Sequence, residues 1–366
     1  NAFVHTRVRA YKERGLEVDV FRLRPEQLIS FHEFEGVDVT TGSQNALRRM
    51  LSSGRYNNVA VHFMDENMWQ VLQDYVNQVR VTVWVHGAEI HSWWRRKFNL
   101  KTDSDIARAK TQSGRRMAFW SSVFELRHPN IHFVFVSRTF ANEIKEDYEV
   151  SIPNDQHSII HNPIDIDLFK YVPKSPEQRK KILSIRPYAS RQYANDVAVA
   201  AILRLTKEAF FDQLEFCLIG DGPLFEETVK PLIGYNNITL EKTFLSQKNI
   251  AELHQEYGIF LCPSRWDSQG VSRDEAMASG LVAISSDIAA IPEFLPPSAG
   301  VLTSPESAGE IADAIGLLYR DPDRFQRLSS SAARIVRENR AAEKIIANEL
   351  HLLRHKAFVV NQQSTQ

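Results

Sequence analysis

Phe3, Val4, Val8 and Tyr11 fall at helical spacing before Gly15, which predicts a helix at the start of the chain. EVDVFRL, residues 17 to 23, then clusters apolar positions over strand length and stops before Pro25. Beyond it short apolar runs alternate with helical patterns: NNVAVHF, MWQVLQDYVNQ, VRVTVWVHG, a long mixed stretch, IHFVFVS and RTFANEIKEDY. Alternation of this kind predicts crossover units on a parallel sheet.

A last short strand, HSIIHN, precedes PIDIDLFKYVPKSPEQRKK, whose three prolines and charges mark a linker. The alternation then restarts with KILSIRP, a helix over 196–209, LEFCLIGDG, a helix over 224–233, ITLEKTF, a helix over 248–257, IFLCPSR, a helix from about Ser272, and VAISSD. A helix around 308–319 and a long helical pattern over 323–356 complete the chain. The expectation is an α/β protein with two doubly wound, Rossmann-like domains: 1–170, 171–342, and a final helix in 343–366 that crosses back to the first domain before a frayed tail. Two such sheets place ligands outside the carboxyl ends of their strands, with a cleft between the domains as the default site.

Composition removes several function classes. Hydrophobic residues at 43% and charged residues at 24% exclude wholesale disorder. Forty-four Lys and Arg against 45 Asp and Glu give a net charge of −1, so no global field recruits nucleic acid or an anionic membrane, and an anion site must be local. Cys217 and Cys262, each inside an apolar run, read as buried reduced thiols rather than a disulfide or metal pair. No apolar run approaches the ~18 residues of a bilayer span and no secretory leader is read at the start, which predicts a cytoplasmic protein.

Three stretches carry candidate chemistry. Arg186 ends the strand KILSIRP and Arg191 follows five positions later; two guanidiniums at a strand exit can grip a diphosphate, or be solvated surface arginines. GDGP places Gly220 and Gly222 after the next strand, where they admit a tight turn and close approach of a ligand, or make an ordinary strand-to-helix turn. In PSRWDSQGVSRDEAMASGLVAISSD, residues 263 to 287, Asp267 follows a strand, Gly270 permits an unusual turn, and Ser272 suits a helix cap. Amides at that helix start would welcome a phosphate or sugar hydroxyl, and Glu275 could accept two hydroxyl hydrogens, as from a ribose diol. Alternatively, Asp274 and Glu275 simply favour the helix dipole.

These residues resemble the retaining nucleotide-sugar glycosyltransferases of the GT-B fold, family four. The E-x7-E signature with its E-A-M-A-x-G helix reads Asp267-x7-Glu275 with EAMASG; R-x4-K reads Arg186-x4-Arg191; GDGP is the loop after the next strand; and the hinge motif, Asn162 to Phe169, reads within HNPIDIDLF. The resemblance implies that Arg186 and Arg191 neutralise the leaving diphosphate and that Glu275 holds the ribose. It further implies that Asp267 and the backbone of Gln269, Gly270 and Val271 read the donor sugar. No metal or cofactor is then needed, because a positive pair meets the dianion. In the amino-terminal half His86, ending VTVWVHGAE, matches a strand-end histidine that reaches the donor sugar; His62 is its structural rival, and Glu89 is a further candidate for acceptor contact.

The chain departs from the pattern in three places. Asp267 is one methylene shorter than the usual Glu, Arg191 replaces Lys, and Ala289-Ala290 stands where a glycine pair is common. A first strand with its glycine-rich loop is expected before Asn1. SWWRRKFNLK with GRRMAFW, in 92–120, mixes tryptophan, phenylalanine and arginine and reads either as a peripheral contact with the inner membrane face or a lipid-linked glycan, or as a half-buried helix pair. The resemblance implies transfer of a sugar from a nucleoside-diphosphate sugar to a glycan or lipid-linked acceptor in bacterial surface polysaccharide (LPS O-antigen or capsule) assembly. A catalytically inactive nucleotide-sugar-binding domain and a sugar-nucleotide epimerase are the alternatives.

Overall fold

The structure is a computed structural model that describes residues 2–354, so the end of the expected final helix and the expected frayed tail lie outside the described residues. In chain order the first elements are α1 (Ala2–Glu13), β1 (Val20–Leu23), β2 (Ser30–Phe34), β3 (Val37–Gly42), α2 (Gln44–Leu51), β4 (Asn58–His62) and α3 (Glu66–Leu72). Then come β5 (Arg80–Val85), a 3-10 turn at Trp93–Asn99, α4 (Asp103–Glu125), β6 (Ile131–Phe135), α5 (Arg138–Asp147) and β7 (His157–Ile159). β4, β5, β6 and β7 form a parallel sheet in that order. Every residue of β5 and β6 is buried, as expected for central parallel strands covered on both faces.

β1, β3 and β2 form a separate three-stranded sheet, with β2 antiparallel to β3. The sequence pattern did not announce that hairpin. Its two-residue turn uses Glu35 and Gly36, both at positive φ (46° and 78°), and Phe31 is 75% exposed, so β2 lacks the inward–outward alternation that marks a strand.

The second run contains β8 (Lys181–Ile185), α6 (Asn195–Leu205), β9 (Glu215–Ile219), α7 (Phe225–Val229), β10 (Ile238–Glu241), α8 (Gln247–Glu256) and β11 (Ile259–Leu261). It continues through α9 (Val271–Ala278), β12 (Val282–Ser286), α10 (Ile291–Phe294), β13 (Gly300–Thr303), α11 (Ala308–Arg320) and α12 (Pro322–Arg340), and α13 (Ala342–Leu353) follows. The six-stranded sheet runs β10-β9-β8-β11-β12-β13, all parallel. Its core packs α6 and α11 on one face through Val197, Ala201, Ile202, Ile311 and Ile315. Cys217 and Cys262 are free and buried in the other face's core, where burial pushes the Cys217 thiol up to about 11.

The long helical pattern over 323–356 is two helices. Ala341 interrupts it by bridging in parallel to Ile164, with Ile164 N donating to Arg340 O (2.9 Å) and Ala342 N to Ile164 O (2.9 Å). A backbone that pairs sideways with another strand cannot keep its helical bonds.

The chain separates into two compact units. One comprises the residues up to Ser92, Lys110–Ile160 and the chain from Ile345; the other comprises Trp93–Ala109 and His161–Lys344. Ile345, Ile346, Leu350 and Leu353 of α13 pack with Tyr11, Trp84 and Val134 in the first unit's core. Trp93–Ala109, which the sequence pattern assigned to the first domain, clusters with the second unit.

Candidate functional site

Sheet order decides which strand exits become neighbours. In the second unit β8 lies between β9 and β11, so the chain reverses its winding direction at β8, and ligands of open α/β sheets bind at such switch points. The loops after β8, β9 and β11 carry Arg186, Gly220–Gly222 and Ser264–Gly270 respectively, which gathers three separated motifs at adjacent strand ends.

Arg186 is 4% exposed. Its Nη1 donates to Ser272 Oγ (2.9 Å), its Nη2 donates to Ser264 Oγ (2.8 Å), and its guanidinium lies over the Tyr193 ring at 4.7 Å. Nε has no hydrogen-bond partner. The arginines around it are neutralised: Arg265 pairs with Asp196 and Glu306, while Arg273 and Arg340 pair with Asp274. Arg186 meets two hydroxyls and a ring instead, so among the described residues it is a buried cation with no carboxylate at salt-bridge distance and with N–H bonds to spare. An isolated buried charge is costly, and an anion delivered from outside would relieve the cost.

Gly220 and Gly222 hold that exit rather than leaving space. A Cβ on Gly220 would lie 1.9 Å from Arg186 O, and one on Gly222, at φ +143°, 2.3 Å from the Tyr188 carbonyl carbon. Tyr188 N donates to Asp221 O (2.8 Å) and Leu224 N to Tyr188 O (3.1 Å), so the two loops lie backbone against backbone. Packing within the protein demands glycine here.

Arg191 opens a 3-10 turn, Arg191–Tyr193. Its N–H donates to Asn99 Oδ1 (3.0 Å), its carbonyl accepts from Arg265 Nη1 (2.7 Å), and Arg265 N donates to Gln192 O (2.8 Å). The side chain borders a groove of about 300 Å³ between α6 and α7, shared with Tyr188, Asp196 and Glu227 but not with Arg186, Asp267 or Glu275. Arg265 and Asn99 were not singled out by sequence. Arg265 sits in the same strand exit as Ser264 and was visible there; Asn99 lies 92 positions from its partner and carried no signal.

After β11, Asp267 Oδ1 accepts from Gln269 N (3.2 Å), so one of the amides expected to read a donor sugar is engaged by the loop itself. The Gln269 side chain, 1% exposed, accepts from Asn162 N (2.6 Å) and donates to Asn162 O (3.2 Å) and Asp274 Oδ2 (3.1 Å). Asn162 is thereby fixed through its backbone. Asp274 is fully buried and closes the network: Arg273 Nη2 reaches it at 2.9 Å and also donates to Gln269 O, and Arg340 Nε lies 3.2 Å from its second oxygen.

Gly270, at φ +86°, is the N-cap of α9, which corrects the expectation that Ser272 caps it. Ser272 lies two positions further on, and its hydroxyl serves Arg186 instead. Val271 and Ser272 are half-buried in the first turn of α9. Glu275, half-buried, makes no side-chain hydrogen bond among the described residues. Burial, and then the charges of Asp274 and Asp165, push its carboxyl up to about 8.

In the first unit His86 follows β5 and His62 ends β4; the two rivals touch, with His62 Nδ1 3.0 Å from His86 Nε2. His62 stacks on Trp84 and His86 on Phe63, whose φ is +56°. Burial, and then the charge of Arg7, lower His86 to about 4, while burial and then His86 hold His62 well below the ordinary histidine value, so both imidazoles are neutral at pH 7. Glu89 Oε1 accepts from His86 N (2.6 Å), its Oε2 is buried without a partner, and burial pushes the carboxyl up to about 7.

The aromatic-basic stretch is not one surface. Trp94 is 41% exposed, whereas Trp120 is fully buried with its Nε1 donating to Glu89 O (2.8 Å). Among the described residues no helix is long and apolar enough to cross a membrane, and no group of three or more His, Cys, Asp or Glu could hold a metal ion.

Residues 179–321 match the family described as glycosyl transferases group 1. The chain is 26% identical over 202 residues to the MMP alpha-(1->4)-mannosyltransferase of Mycolicibacterium hassiacum, covering 54% of this chain and 48% of that one. It is 27% identical over 214 residues to the N-acetyl-alpha-D-glucosaminyl L-malate synthase of Bacillus anthracis, covering 56% and 55%. The chain thus spans about half the length of the curated relatives it matches. Its fold is similar to that of the sucrose-phosphate synthase of Thermosynechococcus elongatus, with a TM-score of 0.73 at 15% identity over 96% of this chain and 92% of that one. The stretch that matches the glycosyl transferases group 1 family thus carries the strand exits after β8, β9 and β11, on a chain with the two Rossmann-like units of the GT-B fold.

Proposed function

We propose that the chain is a retaining, metal-independent glycosyltransferase that takes a sugar from a nucleoside-diphosphate sugar. The observation that carries the proposal is Arg186, a buried guanidinium without a carboxylate partner at the exit of β8, bonded to the start of α9, the helix after the neighbouring strand β11 that also carries the unspent carboxyl of Glu275. Arg186, Arg191 and the free amides at the start of α9 supply positive charge for a leaving diphosphate, the part a metal plays elsewhere. Glu275 accepts the ribose hydroxyls. Asp267 with Gly270 and Val271 faces the donor sugar, while Gln269 acts through its buried side chain, holding Asn162. Transfer with retention follows if the departing diphosphate takes the acceptor's proton as the new bond forms on the same face. For His86 the proposal is narrower: a neutral imidazole at a strand end, able to exchange a hydrogen bond with a sugar hydroxyl.

The acceptor class we propose is a glycan or lipid-linked glycan of bacterial surface polysaccharide assembly, with membrane contact confined to the exposed part of 92–120 around Trp94. The names of the two relatives, a mannosyltransferase and an N-acetylglucosaminyl malate synthase, support sugar transfer as the reaction class.

A thermal-shift screen over UDP, GDP, ADP and their sugars identifies the donor. Calorimetry with the best of these should then show Arg186→Ala weakening nucleoside-diphosphate affinity at least tenfold, about 1.4 kcal/mol. Unchanged affinity would remove Arg186 from the site, and binding without transfer to any acceptor would favour an inactive nucleotide-sugar-binding domain.

A further inference from the structure

Asn99 ends the Trp93–Asn99 turn, and its single side-chain oxygen accepts two hydrogen bonds, from Ser190 Oγ (2.9 Å) and from Arg191 N (3.0 Å). All three residues belong to the second unit. Ser190 Oγ accepts in turn from Gln192 N (3.1 Å), while the carbonyl of Arg191 is held by Arg265 Nη1 (2.7 Å). The residue is therefore clamped at both ends of its backbone, by Asn99 on one side and Arg265 on the other. Its guanidinium makes no hydrogen bond or ion pair among the described residues, so the side chain's direction is set by the backbone that delivers it. Arg265 is itself immobilised by two carboxylates, Asp196 and Glu306. Asn99 is the half of the clamp that comes from elsewhere in the chain.

We infer that Asn99 is a positioning residue for recognition of the terminal phosphate of a nucleoside diphosphate, acting through Arg191. The inference rests on the reading of Arg191 as a diphosphate ligand. The requirement at this position is chemical: both groups that meet Oδ1 are donors, so only an acceptor with an amide's reach satisfies them, and an apolar replacement leaves two N–H or O–H groups unpaired.

A mere packing role would alter the affinity for any nucleotide alike, whereas a role through Arg191 concerns the terminal phosphate. The probes are UDP, GDP and ADP with their monophosphates, titrated calorimetrically against the full chain, and the readout is the ratio of monophosphate to diphosphate Kd for the tightest base. Asn99→Leu should reduce that ratio at least fivefold while leaving monophosphate Kd within twofold. Ser190→Ala, which removes only one of the two donors, should reduce it less, and the double variant should match Asn99→Leu alone. Arg191→Ala is the control. If it reduces the ratio and Asn99→Leu does not, or if Asn99→Leu weakens both nucleotides equally, the positioning role is wrong while the reading of Arg191 stands. If Arg191→Ala leaves the ratio unchanged, that reading falls and takes the inference with it.

Discussion

Each unit buries a carboxylate against arginine, and the two carboxylates behave differently. In the second unit Asp274, with no exposure, faces Arg273 and Arg340; in the first, Glu349, also with none, faces Arg7 at 2.9 Å and accepts the Tyr11 hydroxyl at 2.6 Å. The physics is shared: charges taken out of water and repaid by one another. Their surroundings are not. Asp274 also binds the side chain of Gln269 and so fixes the loop that carries Asp267 and Gly270, beside groups with unspent hydrogen-bonding capacity. Glu349 fastens α13 to α1, and the nearby histidines spend a ring nitrogen on each other. A buried charge is therefore no marker of function by itself. The marker is a buried polar group that the protein leaves incomplete, and Arg186 is the strongest case.

This contrast can be broken by deleting each carboxylate. Asp274→Ala and Glu349→Ala both strand a buried cation, and each should cost about 3 to 5 kcal/mol in urea unfolding. Only Asp274→Ala should also weaken nucleoside-diphosphate binding, by more than tenfold, at a temperature where both variants are folded. An equal loss of binding in Glu349→Ala would show that the two networks are not functionally distinct.

Acid sharpens the same comparison. His62, His86 and His132 in the first unit are all held below the ordinary histidine value, the latter two at about 4, chiefly by burial; among the described residues of the second unit His254, at about 3, is the counterpart. For a group whose folded pKa is depressed, the unfolded chain takes up protons first, so stability present above pH 6.5 is lost as pH falls toward 4. Glu89 and Glu275, raised to about 7 and about 8, act oppositely, one in each unit, and offset part of the loss. A tenfold change in proton affinity corresponds to about 1.4 kcal/mol, so His132, 5% exposed, alone contributes up to about 3 kcal/mol. Hydrogen exchange between pH 6.5 and 4.5 should therefore show β4–β7 losing protection ahead of β8–β13. Simultaneous loss would mean that the histidines do not set acid stability.

What the sequence made legible follows from where chemistry sits in this fold. Central parallel strands are buried on both faces and read as apolar runs, so their exits, and with them Arg186, Gly220, Asp267 and Glu275, could be located by counting. Contacts that join distant positions had no such signal. Gln269 meets Asn162 across 107 residues, and Asn99 meets Arg191 across 92; neither pair has a pattern that announces the other. Ser272 was legible as a helix-start residue but not as a partner of Arg186, because helix propensity says nothing of what the hydroxyl faces. The β2–β3 hairpin escaped for a different reason: its exposed aromatics break the periodicity on which a strand is recognised.

The smallest effect concerns Glu275, and it is the most specific. In the free protein its carboxyl is raised to about 8, so at pH 7 it is mostly protonated and the form that accepts two hydroxyl hydrogens is the minor one. Binding a ribose diol favours the ionised form, and the advantage of a ribonucleoside over a 2′-deoxyribonucleoside diphosphate should grow as pH rises through 8. Glu275→Ala should abolish that advantage, costing about tenfold, or 1.4 kcal/mol, for the ribonucleotide and nothing for the deoxyribonucleotide. Glu275→Gln, which keeps one acceptor but cannot ionise, should retain part of the preference and lose its pH dependence. Titrations of both nucleotides at pH 6.5, 7.5 and 8.5 separate these outcomes, and a preference that survives in Glu275→Ala would place the ribose elsewhere.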